Sequence, residues 1–401
     1  MARAPRPFRQ NRRRTLLALT ATTALSAGLL TATTATGNAA TTPHRPAGTS
    51  HAATAGSGQL PSTADAGAVT LPGGHHGRSV PSAISTVSEG WSIPWGLDWL
   101  PDGSALITER ETFKLFRLTQ AGKRVEIGTV PNVVTTKGEG GLLGLAVSPN
   151  WKRDHHIFLM HSAEGDNRIV RMTYDGTTLG EYTPLVTGIK KYNYHNGGRL
   201  QFGPDGYLYA TTGDAFQAAL AQDKTSLNGK ILRMTSEGKP APGNPYGSLV
   251  YSIGHRNPQG LTWDAQGRLW EAEFGNNAFD ELNLIKPGKN YGWPTCEGQC
   301  TTPGMTNPER QWKTNEASPS GLTYADGAVY LAAQRGQRLW RVPITRTGTG
   351  TPEAYYTGDY GRLRTVEKVP GAKALWLTTT NADLGGGQPA GSDKVLRVDL
   401  R

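Results

Sequence analysis

Four short segments hold the residues best suited to chemistry: 137–144 (KGEGGLLG), 194–200 (YHNGGRL), 254–261 (GHRNPQGL) and 361–364 (GRLR). His195 carries an imidazole whose ordinary pKa lies near neutrality, which suits a general base. Arg362 and Arg364 alternate on a stretch of β character, so both guanidinium groups share one face and can grip a carboxylate-rich ligand. Asp280-Glu281, followed by Asn290-Tyr291, offers oxygen ligands near a Gly-rich turn, a set that suits a hard cation such as calcium. Each group also has an ordinary reading: a packing histidine, solvated strand charge, a solvated acidic pair. The residues alone leave these open.

Other chemistries are disfavoured. No G-x-G-x-x-G follows a strand and opens a helix, which argues against a nicotinamide enzyme, and there is no G-x-S-x-G elbow for a serine hydrolase. The two cysteines, Cys296 and Cys300, lie in a Gly- and Pro-rich loop without nearby histidines. They suit a local disulfide in an oxidising compartment better than a zinc site.

The elements that must position these residues are repeats. A Gly-Leu or similar pair, a β-rich run, a Pro-Asp-Gly or Gly-containing turn and a second β-rich run recur from about Ser82 onward, with glycines at 96, 144, 198, 260 and 321. A more degenerate sixth copy spans Arg364 to Thr379. In Leu200–Tyr209 apolar residues recur at every second position on both sides of a Pro-Asp-Gly turn, the period of strands. No stretch holds a helical period over twelve residues. Six all-β copies predict a closed six-bladed β-propeller over residues 81–401, with a β-sandwich array as the runner-up. The four segments fall just before or at the start of a copy, where the loops of a propeller converge on its axis.

The N-terminus predicts export. Six arginines and no acid precede an uncharged Leu-, Ala- and Thr-rich run to Thr36, with small residues after it, so residues 1–40 read as a secretory signal cleaved near Ala39 or Ala40. Arg13-Arg14 leaves twin-arginine export open. Residues 41–80 are too poor in large apolar side chains to form a core and read as a linker. The formal charge of +10 includes the six arginines of the signal, and the remaining Lys and Arg are interspersed with acids, so neither nucleic-acid binding nor a lasting membrane span is expected.

Taken in order, Pro94–Leu97, Gly141–Gly144, His195–Leu200, Gly254–Leu261, Asp280–Ile285, Asn290–Pro294 and Gly361–Arg364 resemble the quinoprotein glucose and aldose sugar dehydrogenases, over about Ile93 to the C-terminus. The resemblance implies pyrroloquinoline quinone (PQQ) and Ca2+ as cofactors, a sugar substrate and an external electron acceptor. It implies that His195 takes the substrate hydroxyl proton while hydride passes to the quinone C5. Arg256, beside Asn257, would face the quinone oxygens, and Arg362 and Arg364 its carboxylates. The carbonyls of Gly275 and Asn276 would hold the cofactor calcium, and Glu281 with the carbonyl of Tyr291 a structural one. Glu139 stands where the family usually has a cofactor-binding Gln, and Gln334 where it often has Lys. Both changes lower the positive potential, so weaker quinone binding is expected. Asn276 replaces a Pro, Phe274 a polar residue and Tyr194 an Asp. Two alternatives remain open, a carbohydrate-binding propeller that has lost its quinone and a calcium-dependent lactonase.

Overall fold

The computed structural model describes residues 79–401. The expected signal (1–40) and all but the end of the expected linker (41–80) lie outside the described residues. Ser79 and Val80 belong to the folded body: Ser79 is buried, and Val80 exchanges backbone hydrogen bonds with Arg401 at 2.9 and 3.1 Å.

Six four-stranded antiparallel sheets form the blades of a six-bladed β-propeller, as the repeats predict. Their first strands are Pro94–Trp99, Leu142–Val147, Leu200–Phe202, Pro258–Trp263, Pro319–Ala325 and Leu363–Lys368. Blade 6 is composite. Its outermost strand, Pro81–Trp91, comes from the start of the propeller and pairs with Asp393–Leu400 at the C-terminus, so the two ends of the chain close the ring. Closure removes the exposed first and last edges that an open array would present.

The core is divided in the same way. Each of six hydrophobic clusters lies between two adjacent blades. Every blade is therefore apolar on both faces, which is why Leu142–Val147 and Ala374–Thr379 are buried at every position. Strict alternation survives only outward, and the fourth strand Arg124–Thr129 has no buried residue. A fully buried Leu or Phe here is worth about 1.5–3 kcal/mol.

The recurring Gly-Leu pair has a packing cause. The first strands crowd together around the axis, and a Cβ on Gly321 would lie 2.7 Å from the Cα of Thr365 in the next blade. On Gly260 it would lie 2.5 Å from the carbonyl oxygen of Ser320. Only glycine allows strands to converge this closely. The loops entering those strands are thereby gathered at one end of the ring.

Candidate active site

Under that end, Arg199 plugs the axis. Its guanidinium bonds to the carbonyl of Gln259 (2.8 Å), to Thr365 Oγ1 (3.3 Å) and to the carbonyl of Trp95 (3.5 Å), and it lies 4.4 Å from the centre of the Trp95 ring. Above it opens a pocket of about 230 Å3, bounded by Glu139, Tyr194, Phe274, Gln334, Arg362 and Leu384. Phe274 also lines a smaller adjoining cleft with Arg256, Gly275, Glu281, Tyr291 and Trp293. A larger cavity of about 550 Å3 lies between blades 4 and 5, but it holds none of the expected residues, and its Asp264 is paired with Arg268.

His195 stands beside the pocket in the left-handed conformation (φ +59°), 7 % exposed. Its Nδ1 is 2.7 Å from Asp214 Oδ1. With Nδ1–H donating to that carboxylate, Nε2 keeps its lone pair and can accept a proton. Asp214 is held in turn by Trp293 Nε1 (2.8 Å) and by the backbone N–H of Phe216 (2.8 Å). A base oriented by a buried, fixed carboxylate is the arrangement that proton abstraction from a hydroxyl needs.

Glu139 does not stand free against the pocket. Its Oε2 accepts hydrogen bonds from the His195 backbone N–H (2.9 Å) and Asn257 Nδ2 (3.0 Å), while Asn257 Oδ1 accepts from the Gly197 N–H (3.0 Å). Both ends of the Asn257 amide tie blade loops together under His195. The expected repulsion by Glu139 is moderated, because two donors already share its charge.

Across the pocket, Gln334 Oε1 accepts from Arg362 Nη2 (2.8 Å) and Arg364 Nη2 (3.4 Å), so the two arginines do share a face. Their roles differ. Arg364, 2 % exposed, is ion-paired with Asp383, whose other oxygen takes Arg110 Nη2 at 2.7 Å. Burial opposes ionisation of Asp383, but Arg364 and Arg110 outweigh it and hold its carboxyl below the usual carboxylate range. Burial lowers Arg364 to about 10 despite Asp383. Arg364 therefore already holds an internal carboxylate. Arg362 retains a buried Nε without a partner, and so does Gln334 at Nε2.

Arg256 donates to Asn276 Oδ1 (3.1 Å) and sits 5.3 Å from the Trp293 ring centre, with its Nε also unpartnered. Burial lowers its pKa, and that of Arg362 for the same reason. The loop that contains Gly275 and Asn276 wraps around Glu297 Oε1, which accepts four backbone N–H bonds from Asn276 to Phe279 at 2.6–3.0 Å. Glu297 lies within the loop closed by the Cys296–Cys300 disulfide.

Glu281 faces inward. Asn283 Nδ2 reaches Glu271, Glu273 and Glu281 at 3.1, 3.3 and 3.1 Å, so one amide serves three buried carboxylates. His255 joins them through Glu273 (3.2 Å) and stacks on Tyr291. Burial, with Glu273 alongside, pushes Glu281 up to about 8 and raises Glu271 well above the ordinary value. Glu271 Oε1 and Asn283 Oδ1 have no partner. This buried oxygen set, short of positive charge, fits a hard cation.

Sequence reading missed Asp214, Trp293, Asp383, Glu297 and the pair Glu271 and Glu273. Asp214 directly follows the strand Leu208–Thr212 and its Gly213, a strand end at the axis, and that placement was a usable signal. Asp383 lies in a Gly-rich loop with no periodicity and offered none.

The sequence and the fold match known proteins. The profile of the family described as Glucose / Sorbosone dehydrogenase matches residues 91–385. The chain belongs to that family of sugar dehydrogenases. It is 48 % identical to the PQQ-bound form of aldose sugar dehydrogenase from Streptomyces coelicolor, with a TM-score of 0.78, covering 81 % of this chain and 99 % of that one. It is 33 % identical to quinoprotein glucose dehydrogenase B of Acinetobacter calcoaceticus, over 51 % of each chain. With aldose sugar dehydrogenase YliI of Escherichia coli it shares 32 % identity over 54 % of this chain and 62 % of that one. The matched region thus spans about half to three fifths of those two curated relatives.

Proposed function

We propose that the protein oxidises the hydroxyl at C1 of an aldose to the lactone, with PQQ as the two-electron acceptor and Ca2+ beside it. The carrying observation is the His195–Asp214 pair at the edge of a pocket walled by donors that lack partners. A planar, anionic, oxygen-rich quinone fits those donors: Arg256, Arg362 and Gln334 would hold it, and Phe274 would flank it. Glu271, Glu273 and Glu281 would hold a second, structural cation. When bound, PQQ supplies an electrophilic carbonyl that takes up hydride, and Ca2+ polarises it as a Lewis acid.

The chain's own part is proton handling and placement. His195 Nε2 receives the proton of the C1 hydroxyl, and Asp214 stabilises the imidazolium that results. Trp293 Nε1 and the Phe216 N–H fix the Asp214 carboxylate so that it stays aimed at Nδ1. Export remains our reading of residues 1–40, and the Cys296–Cys300 disulfide is consistent with an oxidising compartment, where an external acceptor would take the electrons.

Titration of the purified protein with PQQ and Ca2+ tests this, following quinone absorbance together with aldose-dependent dye reduction. His195→Ala is expected to lower kcat by roughly 10²–10⁴ while stoichiometric quinone binding persists. No binding at concentrations on the order of 1 μM would favour the sugar-binding propeller, which the Glu139 carboxylate at the pocket supports.

A further inference from the structure

Four consecutive peptide groups, from Gly275 to Phe279, are turned the same way. The N–H groups of Asn276, Asn277, Ala278 and Phe279 all donate to one oxygen, Glu297 Oε1, at 2.6, 2.9, 2.7 and 3.0 Å. Successive backbone N–H groups that converge in this way make an anion-binding concavity, and here the anion is the chain's own carboxylate. A trans peptide points its C=O opposite to its N–H. The carbonyls of Gly275, Asn276, Asn277 and Ala278 therefore face away from Glu297, and none of them accepts a hydrogen bond from a described residue.

The loop is fixed from every side. Gly275 N–H donates to Asp280 Oδ1 (2.9 Å), and Asp280 Oδ2 takes the Ser318 N–H (2.6 Å). A Cβ on Gly275 would lie 1.8 Å from the Phe279 carbonyl oxygen and 2.7 Å from Glu297 Oε1, so only glycine lets the loop close on the carboxylate. Toward the pocket, Arg256 Nη2 donates to Asn276 Oδ1 (3.1 Å). Behind it, Gly298, the residue after Glu297, donates its N–H to Glu281 Oε1 (2.6 Å). Asn276, Asn277 and Ala278 are themselves exposed, so this bonding buries little apolar surface. What it sets is the direction of the peptide groups.

We infer that Glu297 is a positioning residue for the cation beside the quinone: its Oε1 draws the N–H groups to one side of the loop and leaves the carbonyls of Gly275 and Asn276 on the other, as oxygen ligands for Ca2+. This rests on the PQQ- and Ca2+-dependent reading of the site. Calcium takes backbone carbonyl oxygens among its ligands, and a group that orients a metal's ligands without touching the metal typically changes its affinity by roughly 10–100-fold. Glu297 acts through the place of its oxygen and not through its charge. It takes no part in the transfer of the proton or the hydride.

The test reads cation binding through the quinone and not through turnover. Chelator-treated protein is titrated with Ca2+ at a fixed PQQ concentration, and quinone absorbance gives the Ca2+ concentration for half-maximal binding. Glu297→Gln keeps an oxygen at the same reach without the charge and should leave that midpoint close to the unmodified value. Glu297→Asp keeps the charge but withdraws the oxygen by one methylene, and Glu297→Ala removes it. Both are expected to raise the midpoint roughly tenfold or more, with quinone affinity at saturating Ca2+ little changed. Asn307→Ala, which removes the acceptor of the Cys300 N–H (2.8 Å) at the end of the same disulfide loop, should not move it. An unmoved midpoint in Glu297→Asp and Glu297→Ala overturns the assignment. So does the reverse order, with Glu297→Gln impaired and Glu297→Asp normal, the signature of charge, and so does an equal shift in Asn307→Ala, the signature of a disturbed loop. If Glu297→Ala does not fold, the comparison of Glu297→Gln with Glu297→Asp decides. Quinone binding by the unmodified protein that ignores Ca2+ overturns this assignment alone, whereas no quinone binding at any Ca2+ concentration overturns the dehydrogenase reading as well.

Discussion

The floor and the wall of the axial pocket are built from the same kinds of residue and are finished differently. On the floor, every guanidinium nitrogen of Arg199 and Arg364 has a partner, and Asn257 spends both ends of its amide on the protein. On the wall, Arg256, Arg362 and Gln334 each keep a buried nitrogen that no protein atom answers. A buried polar group without a partner is costly, so a fold keeps one where something else completes it. The floor is structural. The wall is where we propose that the quinone binds.

The sharpest way to break this comparison is to remove one charge from each side. Asp383→Asn strips Arg110 and Arg364 of their buried counter-ion and is expected to destabilise the protein by about 3–5 kcal/mol, read from urea unfolding. Arg362→Ala should cost under about 1 kcal/mol yet raise the quinone Kd roughly tenfold or more. Equal losses of stability would mean that the wall is as structural as the floor.

Glu139→Gln sharpens the same distinction with a smaller effect. The amide oxygen can still accept from His195 and Asn257, so the melting temperature should barely move, while loss of the negative charge should tighten quinone binding several-fold, on the order of 1 kcal/mol. Unchanged affinity would show that its two hydrogen bonds already neutralise Glu139.

The smallest expected effect lies away from the pocket. Burial, with Asp98 nearby, pushes Glu367 up from its ordinary value to about 8. Between its unfolded and folded pKa the native state holds a proton that the unfolded chain has lost. Its contribution is therefore complete below about pH 4.5 and fades as the pH rises through about 8. Thermal melts between pH 7 and 8 should show a fall of about 1 kcal/mol that Glu367→Gln flattens. A slope that persists in the variant assigns it to other carboxyls.

Much of the fold was legible because its cause is local. Glycines at regular steps, turn residues and strand periodicity are written along the chain, and they are what forces blades to converge. The strand from Pro81 to Trp91 was harder to read, since its partner Asp393–Leu400 lies some 300 residues away. His195, Arg362 and Glu281 could be picked out as groups able to do chemistry, and their loops could be placed at one end of the ring.

The sequence by itself determined that the chain is a ring of repeated β-units, where its functional loops meet, and which side chains they carry. Only the tertiary structure decided which of those side chains are free. Arg362 and Arg364 are two residues apart and alike in sequence, yet Asp383 reaches one and leaves the other a donor without a partner. The role proposed for His195 as a base rests on Asp214, which comes from a different loop and lies 2.7 Å away. Ionic pairing and hydrogen-bond satisfaction depend on distances across the ring, and no local pattern in the chain encodes them.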